Sequence, residues 1–131
     1  MVEKKVKEKA DLISKKVIGA AIEVHKTLGP GLLESVYEEC LAFELNTLGL
    51  SLSRQEAIAI NYKGMKLDCS YRSDMIVEEL VILELKSVEA ILPIHEAQLL
   101  TYLKLSKKWL GLLINFNESL LKHGIKRLVN G

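Results

Sequence analysis

Leu80-Val81-Ile82-Leu83-Glu84-Leu85-Lys86 is the stretch on which the fold turns. Leu80 to Leu85 is a dense run of Leu, Val and Ile, the pattern of a central strand buried on both faces. Glu84 and Lys86 interrupt it at its end. Side chains two apart on a strand point to one face. A carboxylate and an ammonium therefore stand side by side where the sheet should be dry. Burying a charge costs several kcal/mol unless it is paired. The two residues are an ion pair at a strand end, an edge open to water, or part of a site.

Upstream, Ala57 to Tyr62 alternates like a strand, Lys63-Gly64 makes a turn, and Met65 onward returns as the second arm of a hairpin. That arm continues through Tyr71 to Val77, and Glu78-Glu79 is the next polar break. Asp74 precedes Glu84 by ten residues with the break midway, so antiparallel pairing brings the two together. Asp74 either partners Arg72, faces solvent, or joins Glu84. In the last case two acidic oxygens beside a lysine make a hard, oxygen-rich site, suited to Mg²⁺ or Mn²⁺ with water completing the octahedron.

Two helices are expected before the hairpin. Over about 8–28, Ile13, Val17, Ala21, Val24 and Leu28 recur at helical steps, and Gly29-Pro30-Gly31 ends the run. From about Leu32 to Leu48 the apolar stripe is Leu33, Val36, Cys40, Leu41, Leu45 and Leu48, with Gly49 as C-cap. Glu34 lies in its first turn, where the macrodipole favours any acid, or where a carboxylate could serve a site. Tyr37 follows three residues on, on the same face; a tyrosine there more often packs its ring and hydrogen-bonds its hydroxyl.

Downstream, Pro93 opens a helix over Ile94 to Lys107, and Leu110 to Phe116 is a fourth apolar strand. Gly124 to Val129 is a short last strand or a fraying tail. Gln98 and Tyr102 form an i, i+4 pair on the third helix. They are an exposed polar face, or groups that contact a phosphate or orient a catalytic side chain. A helix between the third and fourth strands implies a crossover that leaves those strands parallel. The fold class is α/β, a mixed central sheet flanked by helices.

The chain has 131 residues, which suits a single domain over 1–131. Hydrophobic residues are 49% and charged residues 27%, which excludes intrinsic disorder. Cys40 and Cys69 are too few for a disulfide scaffold or a four-cysteine zinc site, and read as buried thiols in a reducing cytoplasm. His25, His95 and His123 show no metal-ligand spacing. No P-loop, dinucleotide fingerprint, Ser-His-Asp or Cys-His arrangement is legible. The charged N-terminus is no signal peptide, and runs such as Val17 to Ile22 are too short to span a bilayer. A soluble, cytoplasmic protein without membrane association is expected.

The formal charge is +1, which neither predicts nor excludes a nucleic-acid partner. Lys4, Lys5, Lys7, Lys9, Lys15 and Lys16 crowd the beginning, diluted by Glu3, Glu8 and Asp11. Lys104, Lys107, Lys108, Lys122, Lys126 and Arg127 crowd the last third. These are solvated helix faces or local patches for a polyanion. The mean hydropathy of +0.17 leaves room for a homodimer or a protein partner.

Asp74, then Glu84-Leu85-Lys86, then Gln98 and Tyr102, form an ordered set that resembles the PD-(D/E)XK nuclease superfamily. The Gln-x-x-x-Tyr element looks like its RecB-type exonuclease branch. Gly31-Leu-Leu-Glu34-Ser-Val-Tyr37 is similar to the signature of the GxxExxY family, small prokaryotic proteins of that superfamily. The likeness runs from Val24-His25 to Gly111–Phe116. Ser73 stands where some relatives carry a proline, a position that varies among them.

The resemblance implies a restriction-endonuclease-like core: a helix, three antiparallel strands, a helix and a parallel fourth strand. It implies Asp74, Glu84 and Glu34 as metal ligands. Lys86 would orient or activate the attacking water. Gln98, Tyr102 and Tyr37 would position the substrate or the active-site side chains. The function implied is a Mg²⁺- or Mn²⁺-dependent nuclease acting on DNA. The same fold kept as a nucleic-acid or protein binding module without efficient catalysis is the alternative, and a structural α/β protein whose charges merely pair is the plainest one.

Overall fold

The computed structural model describes residues 2–131, with the side chains of all of these but residues 68–70. Cys69 therefore lies outside the described side chains, and Cys40 is half-buried.

Helix α1 spans Lys4–Leu28, four residues longer at its start than its apolar spacing announces. It buries Ala10, Ile13, Val17, Ala20, Ala21 and Val24, a face in which alanines allow close approach to the sheet. Gly29 takes a left-handed φ of +73° and returns its N–H to the His25 carbonyl, which ends the helix. Helix α2 spans Glu34–Thr47 and buries Tyr37, Leu41, Ala42 and Leu45. The expected stripe is rotated: Leu33, Val36 and Leu48 are exposed, and Tyr37 turns inward in their place. The aromatic ring stacks on Phe116 with centroids 4.4 Å apart, and this large contact decides which side of the helix faces the sheet.

Five strands follow in one sheet, in the order β1-β2-β3-β4-β5. They are β1 Leu52–Tyr62, β2 Met65–Val77, β3 Val81–Lys86, β4 Leu110–Asn115 and β5 Ile125–Val129. β1 pairs antiparallel with β2 through a tight turn in which Lys63 and Gly64 both have positive φ. β2 pairs antiparallel with β3, and β3 pairs parallel with β4. Helix α3, Pro93–Ser106, makes the crossover. The last segment is a true strand, antiparallel to β4, rather than a frayed tail.

β1 begins five residues earlier than its alternation suggests. Arg54, Gln55 and Glu56 are polar and exposed, so they hide the period. Gln55 also adopts a left-handed φ of +54°, which departs from extended backbone.

The sheet is covered on both faces. Met75, Val77, Val81, Leu83, Leu85, Leu110, Leu112 and Ile114 pack under α1 and α2. Ile58, Ile76, Ile82 and Leu113 pack against Leu99 and Leu103 of α3. Gly111 lets α3 come close: a Cβ there would lie 3.0 Å from the Leu99 side chain. By strand alternation Glu84 and Lys86 share the face of Ile82, so they emerge beside α3. Among the described residues no helix is long and apolar enough to cross a membrane.

Candidate active site

The ladder between β2 and β3 runs only from Val77↔Val81 to Met75↔Leu83. The next pair in that register is Asp74 and Glu84, and there the backbone ladder stops. Asp74 replaces it with its side chain, accepting the Leu85 N–H on Oδ2 at 2.8 Å. The sequence expectation that antiparallel pairing brings Asp74 to Glu84 rests on this register.

Glu84 is only 6% exposed and its Oε1 has no hydrogen-bond partner. Among the described residues it makes no salt bridge. Burial drives its carboxyl up to about 8; Lys86 and the Asp74 peptide N–H offset part of this, and the charges of Glu34 and Glu38 add to it. Asp74 is raised as well, first by burial, with Glu38 and Glu34 contributing, while the Leu85 N–H and Gln55 pull the other way. The plain ion-pair reading of Glu84 and Lys86 leaves this orphaned oxygen unexplained. Arg72 does not pair with Asp74 either; its guanidinium donates to the Gln55 carbonyl at 3.2 Å.

Glu34 stands exposed at the start of α2, with Oε2 3.4 Å from the Ser87 N–H just beyond β3. Its charge reaches Asp74 and Glu84. Tyr102 is half-buried on α3, stacked on Tyr71 with centroids 3.3 Å apart, and its phenol is raised by burial and by the charge of Glu84. Gln98 is exposed one turn earlier on α3.

Tyr37, expected among the positioning residues, is fully buried. Its hydroxyl donates to the Gly29 carbonyl at 2.6 Å and accepts the Leu32 N–H at 3.2 Å. It holds the Gly29-Pro30-Gly31 loop, and so sets where α2 begins and where Glu34 stands.

Several polar groups at the site escape a motif reading. Glu38, one turn after Glu34, accepts from Arg54 Nε at 3.0 Å and from Gln55 Nε2 at 3.0 Å. The i, i+4 spacing of Glu34 and Glu38 was the one sequence signal for it. Asn115 is fully buried beside Lys86 in the β3–β4 register. Its amide donates to the Val88 carbonyl at 2.9 Å and accepts the Val88 N–H at 3.1 Å, which fixes the loop after β3. His25 and His95 are structural: His25 Nε2 donates to the Glu118 carbonyl at 2.7 Å, and His95 Nδ1 accepts the Leu92 N–H at 3.0 Å to cap α3.

Among the described residues no three Asp, Glu, His or Cys side chains are assembled as a ready metal cage. The donors nevertheless fit a hard divalent ion. Mg²⁺ keeps several waters and needs only one or two carboxylates. Here one buried carboxylate oxygen is orphaned, and burial, with the charges of Glu34 and Glu38 adding to it, raises the carboxyls of both ligand candidates. A groove of about 870 Å³ lies elsewhere, at the β2–β3 turn, where Lys5, Lys9 and Lys108 are offset by Glu56, Glu78 and Glu79.

A family model described as the PD-(D/E)XK nuclease superfamily matches residues 11–128. The chain belongs to the PD-(D/E)XK nuclease superfamily. No curated protein and no solved structure matches it. Membership accounts for the sheet with its antiparallel strands and parallel pair, and points to a metal-dependent nuclease. Asp74 and Glu84-Leu85-Lys86 lie within the matched residues.

Proposed function

We propose that the protein is a Mg²⁺- or Mn²⁺-dependent phosphodiesterase acting on DNA, within the GxxExxY family and with the Gln-x-x-x-Tyr element of the RecB-type branch. The observation that carries the reading is the orphaned oxygen of Glu84, buried next to Asp74 at the end of β3 with Lys86 two residues on. An unpaired buried carboxylate is costly, and a bound cation is the partner that would relieve it.

Asp74 and Glu84 would hold the ion, with Glu34 completing the acidic cluster from α2. When bound, a divalent ion polarises phosphoryl oxygens, lowers the pKa of water and stabilises the leaving oxygen. Lys86 would orient the attacking water and place positive charge where the pentavalent transition state gains negative charge. Tyr102, whose phenol feels the charge of Glu84, and Gln98 one turn earlier on α3 would position the substrate. The strands hold the carboxylates rigidly, and the apolar sheet around them strengthens each charge interaction.

The test is a substrate panel. Purified protein is offered single- and double-stranded DNA and RNA with Mg²⁺, with Mn²⁺ and with EDTA. Cleavage of DNA that EDTA abolishes is expected. Binding without cleavage, with either metal, would favour a nuclease-fold binding module instead.

A further inference from the structure

We propose that Gln55 is a positioning residue for Asp74, anchored by Glu38 and Arg54. The inference rests on the reading that Asp74 and Glu84 hold a divalent cation.

Gln55 stands opposite Asp74 in the hairpin. The pairs Arg54↔Met75 and Glu56↔Ser73 flank it, and Gln55 and Asp74 are the skipped step between them. Its φ of +54° is left-handed, a conformation that a residue with a Cβ rarely adopts. The Gln55 amide reaches toward α2 and the site. Nε2 donates to Glu38 Oε1 at 3.0 Å and to Asp74 Oδ1 at 3.5 Å. An amide nitrogen has two hydrogens, one for each carboxylate.

Glu38 is in turn fixed. Its side chain is 13% exposed, with Oε2 2.8 Å from Arg54 Nη2 and 3.0 Å from Nε. Arg54 also grips Glu39 at 2.6 Å. The chain of contacts therefore runs from Glu39 through Arg54 to Glu38, and from Glu38 through Gln55 to Asp74. Both oxygens of Asp74 are then addressed, Oδ2 by the Leu85 N–H and Oδ1 by Gln55. That fixes its rotamer while lone pairs remain for a ligand. Partners behind the ligands commonly set metal affinity by 10- to 100-fold, roughly. Glycine would suit this backbone better than glutamine. The strain is retained at a site, as strained residues often are.

The discriminating variant is Gln55→Gly in the full chain. Glycine relieves the backbone but removes the amide, so a purely structural role and a positioning role predict opposite things. Thermal melts in EDTA give the stability, and calorimetric titration with Mn²⁺ alone gives the affinity. The expected result is a melting temperature at or above that of the wild type with Mn²⁺ bound about 10-fold more weakly. Wild-type Mn²⁺ affinity in a stable Gln55→Gly protein would overturn the proposal. Should that variant melt early, Gln55→Asn takes its place: asparagine tolerates the left-handed backbone, and its amide, one methylene shorter, does not span Glu38 and Asp74. Weakened Mn²⁺ binding there supports the role, and unchanged binding overturns it. Glu84→Ala runs alongside. If it binds Mn²⁺ as the wild type does, the metal-site reading itself falls and this inference with it; if it loses Mn²⁺ while Gln55→Gly and Gln55→Asn do not, only this inference falls.

Discussion

The carboxylate of Asp74 accepts the backbone N–H of Leu85 at 2.8 Å, the residue that separates Glu84 from Lys86. A side chain thus does the work of the ladder at the point where β2 leaves β3. The bond clamps the Glu-x-Lys segment and leaves a carboxylate beside it. It also separates two roles, because an amide oxygen can accept the same bond without the charge.

Asp74→Asn should therefore keep the clamp and lose the ligand. Burial and the neighbouring charges of Glu38 and Glu34 disfavour the ionised Asp74. The variant should melt in EDTA at or above the wild-type temperature, yet show no stabilisation by millimolar Mn²⁺. A Mn²⁺-dependent rise in melting temperature equal to that of the wild type would rule Asp74 out as a ligand.

Glu84 should govern the pH dependence of the metal-free protein. Its folded carboxyl titrates at about 8, against an ordinary value of 4.5. The folded state holds a proton that the unfolded state releases, so this contribution is full below about 4.5 and is lost as pH rises through about 8. In EDTA the melting temperature should fall on the order of 10 °C between pH 5 and pH 9. Glu84→Gln should flatten that slope, and Mn²⁺ should restore the wild type most at the alkaline end, where the ligand is ionised. An unchanged slope in Glu84→Gln would place the titration elsewhere.

Tyr37→Phe tests the support of the site from behind. The ring and its stacking on Phe116 remain, and only the hydroxyl contacts to Gly29 and Leu32 go. Loss of a buried hydrogen-bonded hydroxyl should cost about 1–2 kcal/mol in a denaturant melt. Cleavage should weaken modestly, because Glu34 loses its fixed entry into α2. A loss of activity as deep as that of a ligand variant, with stability intact, would return Tyr37 to the substrate side.

The centre of the molecule was legible because its signals are local. The apolar run that ends at Leu85 signals the buried strand β3, and the Glu78-Glu79 break fixes the register that carries Asp74 to Glu84. The edges were harder to read. Polar Arg54, Gln55 and Glu56 hide the start of β1, because a solvent-facing strand with a left-handed residue in it shows no alternation. The face of α2 is right at Leu41 and Leu45 and wrong at its rim, because Leu33 and Val36 look like core, while the stacking partner of Tyr37, Phe116, is 79 residues away. Gln55 and Glu38 were missed for the same reason: their meaning lies in a contact between a helix and a distant strand, which spacing along the chain does not show.

Single-turnover cleavage by the wild type, Glu84→Ala and Lys86→Ala at saturating Mn²⁺, with matched circular dichroism, tests whether the end of β3 carries the chemistry. Metal-dependent cleavage by the wild type is expected, with Lys86→Ala reduced about 100- to 1,000-fold by the loss of a charge at the transition state. Glu84→Ala should be silent even at high Mn²⁺. Cleavage by both variants at the wild-type rate would move the chemistry away from the end of β3.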